Sequence, residues 1–252
     1  MWNRIIARGQ TAAIGLVVLA LPGGSTTESS SAAFARADGD PVRIVLTARD
    51  IEASTTEAAA AHGALAAMWT NELRRVGAPF RTPRLVRYRG NARTSCGIMP
   101  ANNAAYCLDN NTIYFDDVFL AAQAKLASHA LGTDGDMAAV GIIAHEMGHA
   151  VAFQLGYQSR SSYANERAAD CLAGAFARHA ERDGSLEDGD VEEAFFAMAA
   201  AADPEFQPTG DSRVDSRRHA RLSRQAHGTR AQRQNNFREG FENGPGVCLP
   251  GI

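Results

Sequence analysis

The sequence predicts a single α+β domain, with a small sheet packed beside a buried helix and a mostly helical C-terminal half. Three observations support this prediction. Strand-like segments lie in the first half, helical patterns follow one another after residue 116, and no internal repeat or long linker divides the 252 residues. Strands followed by a run of helices are typical of α+β domains rather than of alternating β and α units.

The first 37 residues have the pattern of a secretory signal peptide. Two arginines precede an uncharged stretch over residues 11–27, whose apolar centre is too short to cross a bilayer. The small-x-small sequence Ala35-Arg36-Ala37 then predicts cleavage near Asp38. We therefore expect a mature domain of residues 38–252 that is periplasmic or secreted. The alternative is an uncleaved membrane anchor formed by residues 11–27.

The elements of the mature domain are predicted from hydrophobic spacing. Apolar residues recur at helical spacing between Ala58 and Leu73, whereas β-favouring residues surround a polar turn at Asp109-Asn110-Asn111. The predicted strands are 42–47, 83–88 and 105–115, and a helix at 51–76 separates the first two. The helices predicted after these strands are 117–131, 136–156, 162–182, 189–202, 214–226 and 229–240.

Charge and cysteine content limit the possible functions. The chain has 28 acidic and 25 basic side chains, too even a balance for the basic face of a nucleic-acid-binding protein, so we expect no nucleic-acid partner. Four cysteines permit three disulfide pairings and suit an exported protein. We expect Cys96 to pair with Cys107 across a turn-rich run, and Cys171 with Cys248. Zinc binding by thiolates is the alternative, but the chain has no Cys-x-x-Cys.

The predicted helix at 136–156 contains His145-Glu146-Met147-Gly148-His149. Histidines four residues apart lie on one helical face, so both rings can reach one metal ion, and Glu146 can take a proton from a zinc-bound water. The surrounding residues are apolar nearly all round the helix, which predicts burial and makes an uncompensated pair of histidines costly. We therefore expect one zinc ion. The alternative is a pair of core histidines bonded to backbone carbonyls, with Glu146 in an ion pair.

A hydrolytic zinc site also needs a third protein ligand and an open fourth position. The extended motif with a third histidine is excluded, because Ala152 and Leu155 occupy the positions that it requires. Glu166 and Asp170 lie four residues apart on the next predicted helix. We assign Glu166 as the third ligand and Asp170 as the acceptor for the free N–H of a ligating histidine. Alternatively, Glu166 lies on a solvated face and pairs along the helix.

Several pieces of the chain, taken together, carry a resemblance to a known family. The pieces are Ser95-Cys96-Gly97, Tyr106-Cys107-x-Asp109, Ile113-Tyr114-Phe115-Asp116, Ala144-His145-Glu146-Met147-Gly148-His149, Glu166-Arg167-Ala168-Ala169-Asp170-Cys171-x-Ala173-Gly174, His227-Gly228-Thr229 to Arg233, and Phe237-Arg238-x-Gly240-Phe241. In this order they resemble the neutral zinc metallopeptidases of bacteria. The resemblance implies a zincin-like fold and a zinc-dependent peptidase that acts on peptides or proteins. Many members carry histidine and glutamine where this chain has Ala150 and Ala152, so specificity is not carried over.

The resemblance also places His227 in the conserved C-terminal part of the fold. We therefore name His227 as the first candidate to stabilise the oxyanion, with Tyr106, Tyr114 and Arg233 as others. His227 lies just before a predicted helix start, so capping that helix is its alternative role. For the whole chain, the competing function is a non-catalytic, metal-stabilised binding protein. Glu146 argues against that function, because a purely structural metal site needs no free carboxylate beside it.

Overall fold

The computed structural model describes residues 16–18, 30–35, 41–203, 208–224 and 227–249. Its strands are β1 (Leu16–Val18), β2 (Ser30–Ala35), β3 (Pro41–Leu46), β4 (Arg84–Tyr88), β5 (Ala92–Thr94), β6 (Gly97–Met99), β7 (Ala104–Cys107) and β8 (Thr112–Asp116). Its helices are α1 (Ala48–Arg75), α2 (Asp117–Leu131), α3 (Asp136–Gln154), α4 (Ser162–Asp183), α5 (Asp190–Ala200), α6 (Ser212–Arg224) and α7 (Arg230–Asn243). The predicted α+β class is confirmed.

The sheet beside the centre of the domain has the strand order β4-β8-β7. β8 lies in its middle, parallel to β4 and antiparallel to β7. β7 is therefore an edge strand, and this edge packs against α3. The predicted strand at 105–115 is in fact two strands, β7 and β8, joined by a turn at the polar residues that the sequence indicated.

α3 lies in the centre of the domain, with α1, α2, α4 and α5 around it and β7 at its side. Its buried residues occupy every face, as the continuous apolar pattern predicts. α1 contributes the apolar row that predicted it, including Leu65, Trp69 and Leu73. The histidine motif therefore sits on a helix that is surrounded by its neighbours in the fold.

α4 and α7 pack against each other at backbone contact distance. A Cβ atom added to Gly174 would lie 1.9 Å from the carbonyl oxygen of Phe237, and one added to Gly240 would lie 1.7 Å from that of Cys171. Both glycines are needed because any side chain would force the helices apart. Cys171 also forms a disulfide with Cys248 just beyond α7, so the C-terminal segment is fixed covalently to α4.

Both predicted disulfides are confirmed. The Cα atoms of Cys96 and Cys107 are 5.8 Å apart, and those of Cys171 and Cys248 are 5.4 Å apart. The first disulfide joins the loop before β6 to the end of β7. β5 and β6 form a short antiparallel hairpin that the sequence did not predict, because three-residue strands carry too little periodicity.

The N-terminal part of the chain is described only in pieces. β1 and β2 form an antiparallel sheet with β3, and β3 packs through Ile44 and Leu46 against α2. The predicted cleavage point near Asp38 lies outside the described residues, as does most of the proposed signal segment. Among the helices that the structure describes, none is both long and apolar enough to cross a bilayer.

Candidate metal centre

His145 and His149 of α3 converge with Glu166 of α4. The Nε2 atoms of the two histidines are 3.1 Å apart. Oε2 of Glu166 lies 3.2 Å from Nε2 of His145, and Oε1 lies 3.4 Å from Nε2 of His149. The structure thus brings together the three residues that the sequence proposed as metal ligands.

The geometry of these three residues fits a zinc ion. Ligand atoms about 2.0–2.2 Å from a tetrahedral zinc are roughly 3.3–3.6 Å apart, close to the separations found here. Oε2 of Glu166 is buried and receives no hydrogen bond from any residue in the described part of the chain. Two imidazole nitrogens and a carboxylate are donors that zinc prefers, and a cation would compensate their burial.

Gly148 allows α3 and α4 to approach closely enough for this convergence. A Cβ atom at Gly148 would lie 2.7 Å from the carbonyl oxygen of Ala169 and 2.9 Å from its Cα atom. Gly148 directly precedes His149, and Ala169 directly precedes Asp170. The contact between the two helices therefore sets the distance between the histidine face and the carboxylates.

Asp170 contacts the other ring nitrogen of His145, as the sequence proposed. Its Oδ1 atom is 2.9 Å from Nδ1 of His145, so Nδ1 can donate and Nε2 is left free to bind a metal. Arg233 of α7 donates to both Asp170 oxygens, over 2.6 Å from Nη2 and 3.1 Å from Nε. A further bond joins Nη1 of Arg233 to the carbonyl oxygen of Ala201.

Charge interactions among these side chains compensate the cost of their burial. Burial and the charge of Arg233 oppose protonation of His145, but its interactions with the carboxylates of Asp170 and Glu166 raise its pKa to about 10. Burial opposes ionisation of Glu166 as well, yet the two histidines hold the pKa of Glu166 well below its usual range. For Asp170, burial is outweighed first by Arg233 and then by His145, so its pKa is lowered. The two carboxylates are therefore anionic and suited to a cation.

Glu146 lies beside the converging ligands without belonging to them. It is 7% exposed, and its Oε2 atom accepts a 2.7 Å hydrogen bond from the backbone N–H of Tyr106 on the edge strand β7. This bond fixes the carboxylate between strand and helix. The sequence indicated Glu146 but gave no signal for Tyr106 N–H, because only the packing of β7 on α3 creates the contact.

A cleft of about 650 Å³ opens over the proposed ligands. Its walls come from β7, from one face of α3, and from parts of α2, α4, α5 and the start of α7. A volume of this size is typical of ligand-binding sites. Because residues of the edge strand β7 line the cleft, a chain segment in extended form can lie along them.

The candidates for oxyanion stabilisation occupy different places. His227 lines the cleft at its rim, 55% exposed, with Nδ1 3.2 Å from Oδ1 of Asp203. Thr229 rather than His227 caps α7. The hydroxyl of Tyr106 donates to Asn111, and that of Tyr114 accepts a bond from Asn110. Arg233 is buried and donates hydrogen bonds to Asp170. The sequence did not reveal this contact, because 62 residues lie between the two positions. The role of His227 stays a prediction.

Comparisons with known proteins agree with the resemblance seen in the sequence. A family model described as "Putative neutral zinc metallopeptidase" matches residues 46–248. A protein of Escherichia coli K12, called "Uncharacterized protein YpfJ", is 33% identical over 233 residues, which cover 83% of this chain and 77% of the relative. "Uncharacterized protein Mb2605" of Mycobacterium bovis is 30% identical over 193 residues, or 67% of this chain and 62% of the relative. No solved structure matches the chain.

Proposed function

The chain belongs to the putative neutral zinc metallopeptidase family, and we propose that it is an active, exported peptidase that hydrolyses peptide bonds. The single observation that carries the proposal is the arrangement of four side chains. His145, His149 and Glu166 converge on one point, and Glu146 stays outside that group with its carboxylate held by a backbone N–H. A structural metal site would need only the converging ligands.

His145, His149 and Glu166 would hold the metal, and Asp170 would fix the ring of His145 through Nδ1. A zinc ion at this place supplies a water of lowered pKa and polarises the carbonyl of the scissile bond. Glu146 acts as the general base that accepts the proton of the attacking water and then delivers it to the leaving amine. The hydrogen bond from Tyr106 N–H keeps Glu146 oriented throughout both proton transfers.

The substrate is a peptide or a protein segment in extended conformation. The N–H and C=O groups of Ala104 and the C=O group of Tyr106 point away from β8 and can pair with a substrate, because the pairing of β7 and β8 alternates along the strand, whereas the N–H of Tyr106 is bonded to Glu146. A substrate backbone can add to this edge and lie over the metal ligands. His227, at the rim of the same cleft, is our candidate for contacting the oxyanion.

Export rests on two features that are independent of the active site. Residues 1–37 carry a signal-peptide pattern, and all four cysteines are paired in disulfides. Disulfides persist in the periplasm and outside the cell. Sequencing the N-terminus of exported protein tests this proposal: a start near Asp38 is expected, whereas an intact N-terminus would indicate an anchor.

The proposed activity is tested with purified protein supplied with zinc. We expect about one zinc ion per chain and cleavage of casein, and we expect Glu146→Gln to lower the cleavage rate by about 100-fold or more while zinc content stays unchanged. Glu181→Gln, which alters an exposed carboxylate of α4, is the matched control and keeps full activity.

Each result has a distinct meaning. Equal cleavage by wild type and Glu146→Gln would reject Glu146 as the base. A zinc content near zero would reject the assignment of the ligands. A zinc-loaded protein that cleaves neither casein nor a peptide library would favour the non-catalytic binding protein over the peptidase.

A further inference from the structure

Helix α2 contributes to the cleft a side-chain amide that no other described residue uses. Gln123 of α2 lines the cleft and is only 8% exposed. Within the part of the chain that the structure describes, its side chain has no hydrogen-bond partner. Neither the amide oxygen nor the amide nitrogen of Gln123 is fully enclosed by protein, so both reach the space of the cleft. The carboxamide of Gln123 is therefore available to a ligand in the cleft.

The walls around Gln123 are apolar and carry no charge. Phe119 lies one helical turn earlier on the same face of α2, and Ala197 and Met198 of α5 also line the cleft. Ile142 of α3 completes this end of the cleft. None of the lining residues that come from α2 and α5 is charged, whereas the titratable lining residues gather around the metal ligands and the rim near His227.

This neutral end of the cleft adjoins the reacting centre. Ile142 lies three and four residues before His145 and Glu146, so these side chains share one face of α3. The opposite end of the cleft, towards Phe153 and Gln158, lies beyond His149. A substrate side chain next to the scissile bond would therefore reach Gln123 while its backbone is paired with β7.

We infer that Gln123 determines specificity, by selecting substrates with a carboxamide side chain, Gln or Asn, at one fixed position beside the scissile bond. This inference rests on the proposed peptidase function. Two carboxamides can pair in both directions, each donating one N–H to the C=O of the other. A carboxylate side chain is disfavoured, because the neutral pocket offers no cation in exchange for its hydration. An aliphatic side chain fills the space but leaves Gln123 unpaired.

The test separates selection from hydrolysis by using two measurements. Zinc-supplied Glu146→Gln protein captures peptides from a random synthetic library, and wild-type protein cleaves the same library. We expect Gln and Asn to be enriched at one position roughly threefold to tenfold over Leu and Met in both measurements, and more strongly over Glu. Enrichment in capture without any cleavage would support the specificity pocket and reject the peptidase. Capture with no such enrichment would overturn the inference.

Variants then assign the preference to Gln123. Gln123→Met should remove the enrichment of Gln over Leu, and Gln158→Met, the matched control at the far end of the cleft, should retain it. Gln123→Glu provides a second variant of the same size. Its carboxylate should repel a Glu side chain of the substrate, but it can still accept hydrogen bonds from the N–H groups of a substrate Gln. Unchanged preferences in both Gln123 variants would overturn the inference.

Discussion

Arg233 of α7 donates hydrogen bonds to both carboxylate oxygens of Asp170 on α4, and both side chains are almost fully buried. Asp170 in turn contacts Nδ1 of His145 at 2.9 Å. The guanidinium thus neutralises the carboxylate that orients a proposed metal ligand. Arg233 also donates to the carbonyl oxygen of Ala201, just after α5. It therefore links α7 both to the end of α5 and to the candidate metal centre.

Asp170 should therefore control how tightly the protein holds zinc. We expect Asp170→Asn to lower zinc affinity by about 10- to 100-fold, because asparagine keeps the shape but loses the charge that favours Nδ1–H on His145. Competition with a chromogenic chelator measures the change. Glu239→Gln removes a carboxylate that pairs with Arg167 and lies outside the proposed ligand group, and it should leave the affinity unchanged. An unaltered affinity in Asp170→Asn would show that Asp170 does not orient His145.

Arg233 should matter mainly for folding. We expect Arg233→Met to lower the free energy of unfolding of the metal-free protein by about 3–5 kcal/mol, because Asp170 would remain buried without its cation. Arg167→Met, which breaks the partly exposed pair with Glu239, should cost only about 0–1 kcal/mol. Chemical denaturation measures both values. Similar losses in the two variants would contradict the structural role assigned to the buried pair.

The sequence predicted the residues of the centre that are ordered by helical spacing. His145 with His149, and Glu166 with Asp170, are separated by four residues, so a correct helix prediction places each pair on one face. Pairing of the cysteines was also predictable, because an even number of cysteines in a chain with a signal-peptide pattern implies disulfides, and proximity favours Cys96 with Cys107. These features depend on spacing within a helix or on the number and proximity of the cysteines.

The features that the sequence missed depend on packing between distant segments. Nothing in the pattern of α7 shows that Arg233 reaches Asp170, and nothing in β7 shows that Tyr106 N–H binds Glu146. No motif marks Gln123 in the sequence, and only the structure shows that it lines the cleft. Such contacts are set by tertiary structure, for which a single sequence carries no periodic signal.

Gly148 should be required for the convergence of α3 and α4. We expect Gly148→Ala to reduce zinc affinity and to lower the free energy of unfolding by about 1–3 kcal/mol, because the added methyl group meets the backbone of Ala169. Isothermal titration with zinc and chemical denaturation measure the two effects. The gain in helix propensity, about 1 kcal/mol, works in the opposite direction.

Gly63 provides the matched control for this substitution. It is exposed within α1, and a Cβ atom at this position meets nothing within 4 Å. Gly63→Ala should therefore stabilise the protein by about 0.5–1 kcal/mol and leave zinc affinity unchanged. If Gly148→Ala behaved in the same way as Gly63→Ala, close contact between α3 and α4 would not be what positions Glu166.

Asp136 at the start of α3 should make stability depend on pH. Partial burial, together with the nearby carboxylates of Asp134, Asp190, Glu57 and Glu193, raises the pKa of Asp136 to about 7. In the unfolded chain the pKa of an aspartate side chain is 3.8. Between these two values the folded protein retains a proton that the unfolded chain has released, so the contribution of Asp136 to stability is lost as pH rises towards 7.

We expect Asp136→Asn to be more stable than wild type at pH 8, by about 1 kcal/mol, and to differ little from it near pH 3, where both side chains are neutral. The gain is modest because Asp136 is partly exposed, and because the dipole of α3 favours a negative charge at its start. Chemical denaturation in EDTA across this pH range measures the difference, and EDTA removes any cation that would mask the repulsion. High salt should reduce the gain at pH 8, since it screens the neighbouring carboxylates. A variant that is no more stable than wild type at pH 8 would show that the acidic neighbours do not oppose ionisation of Asp136.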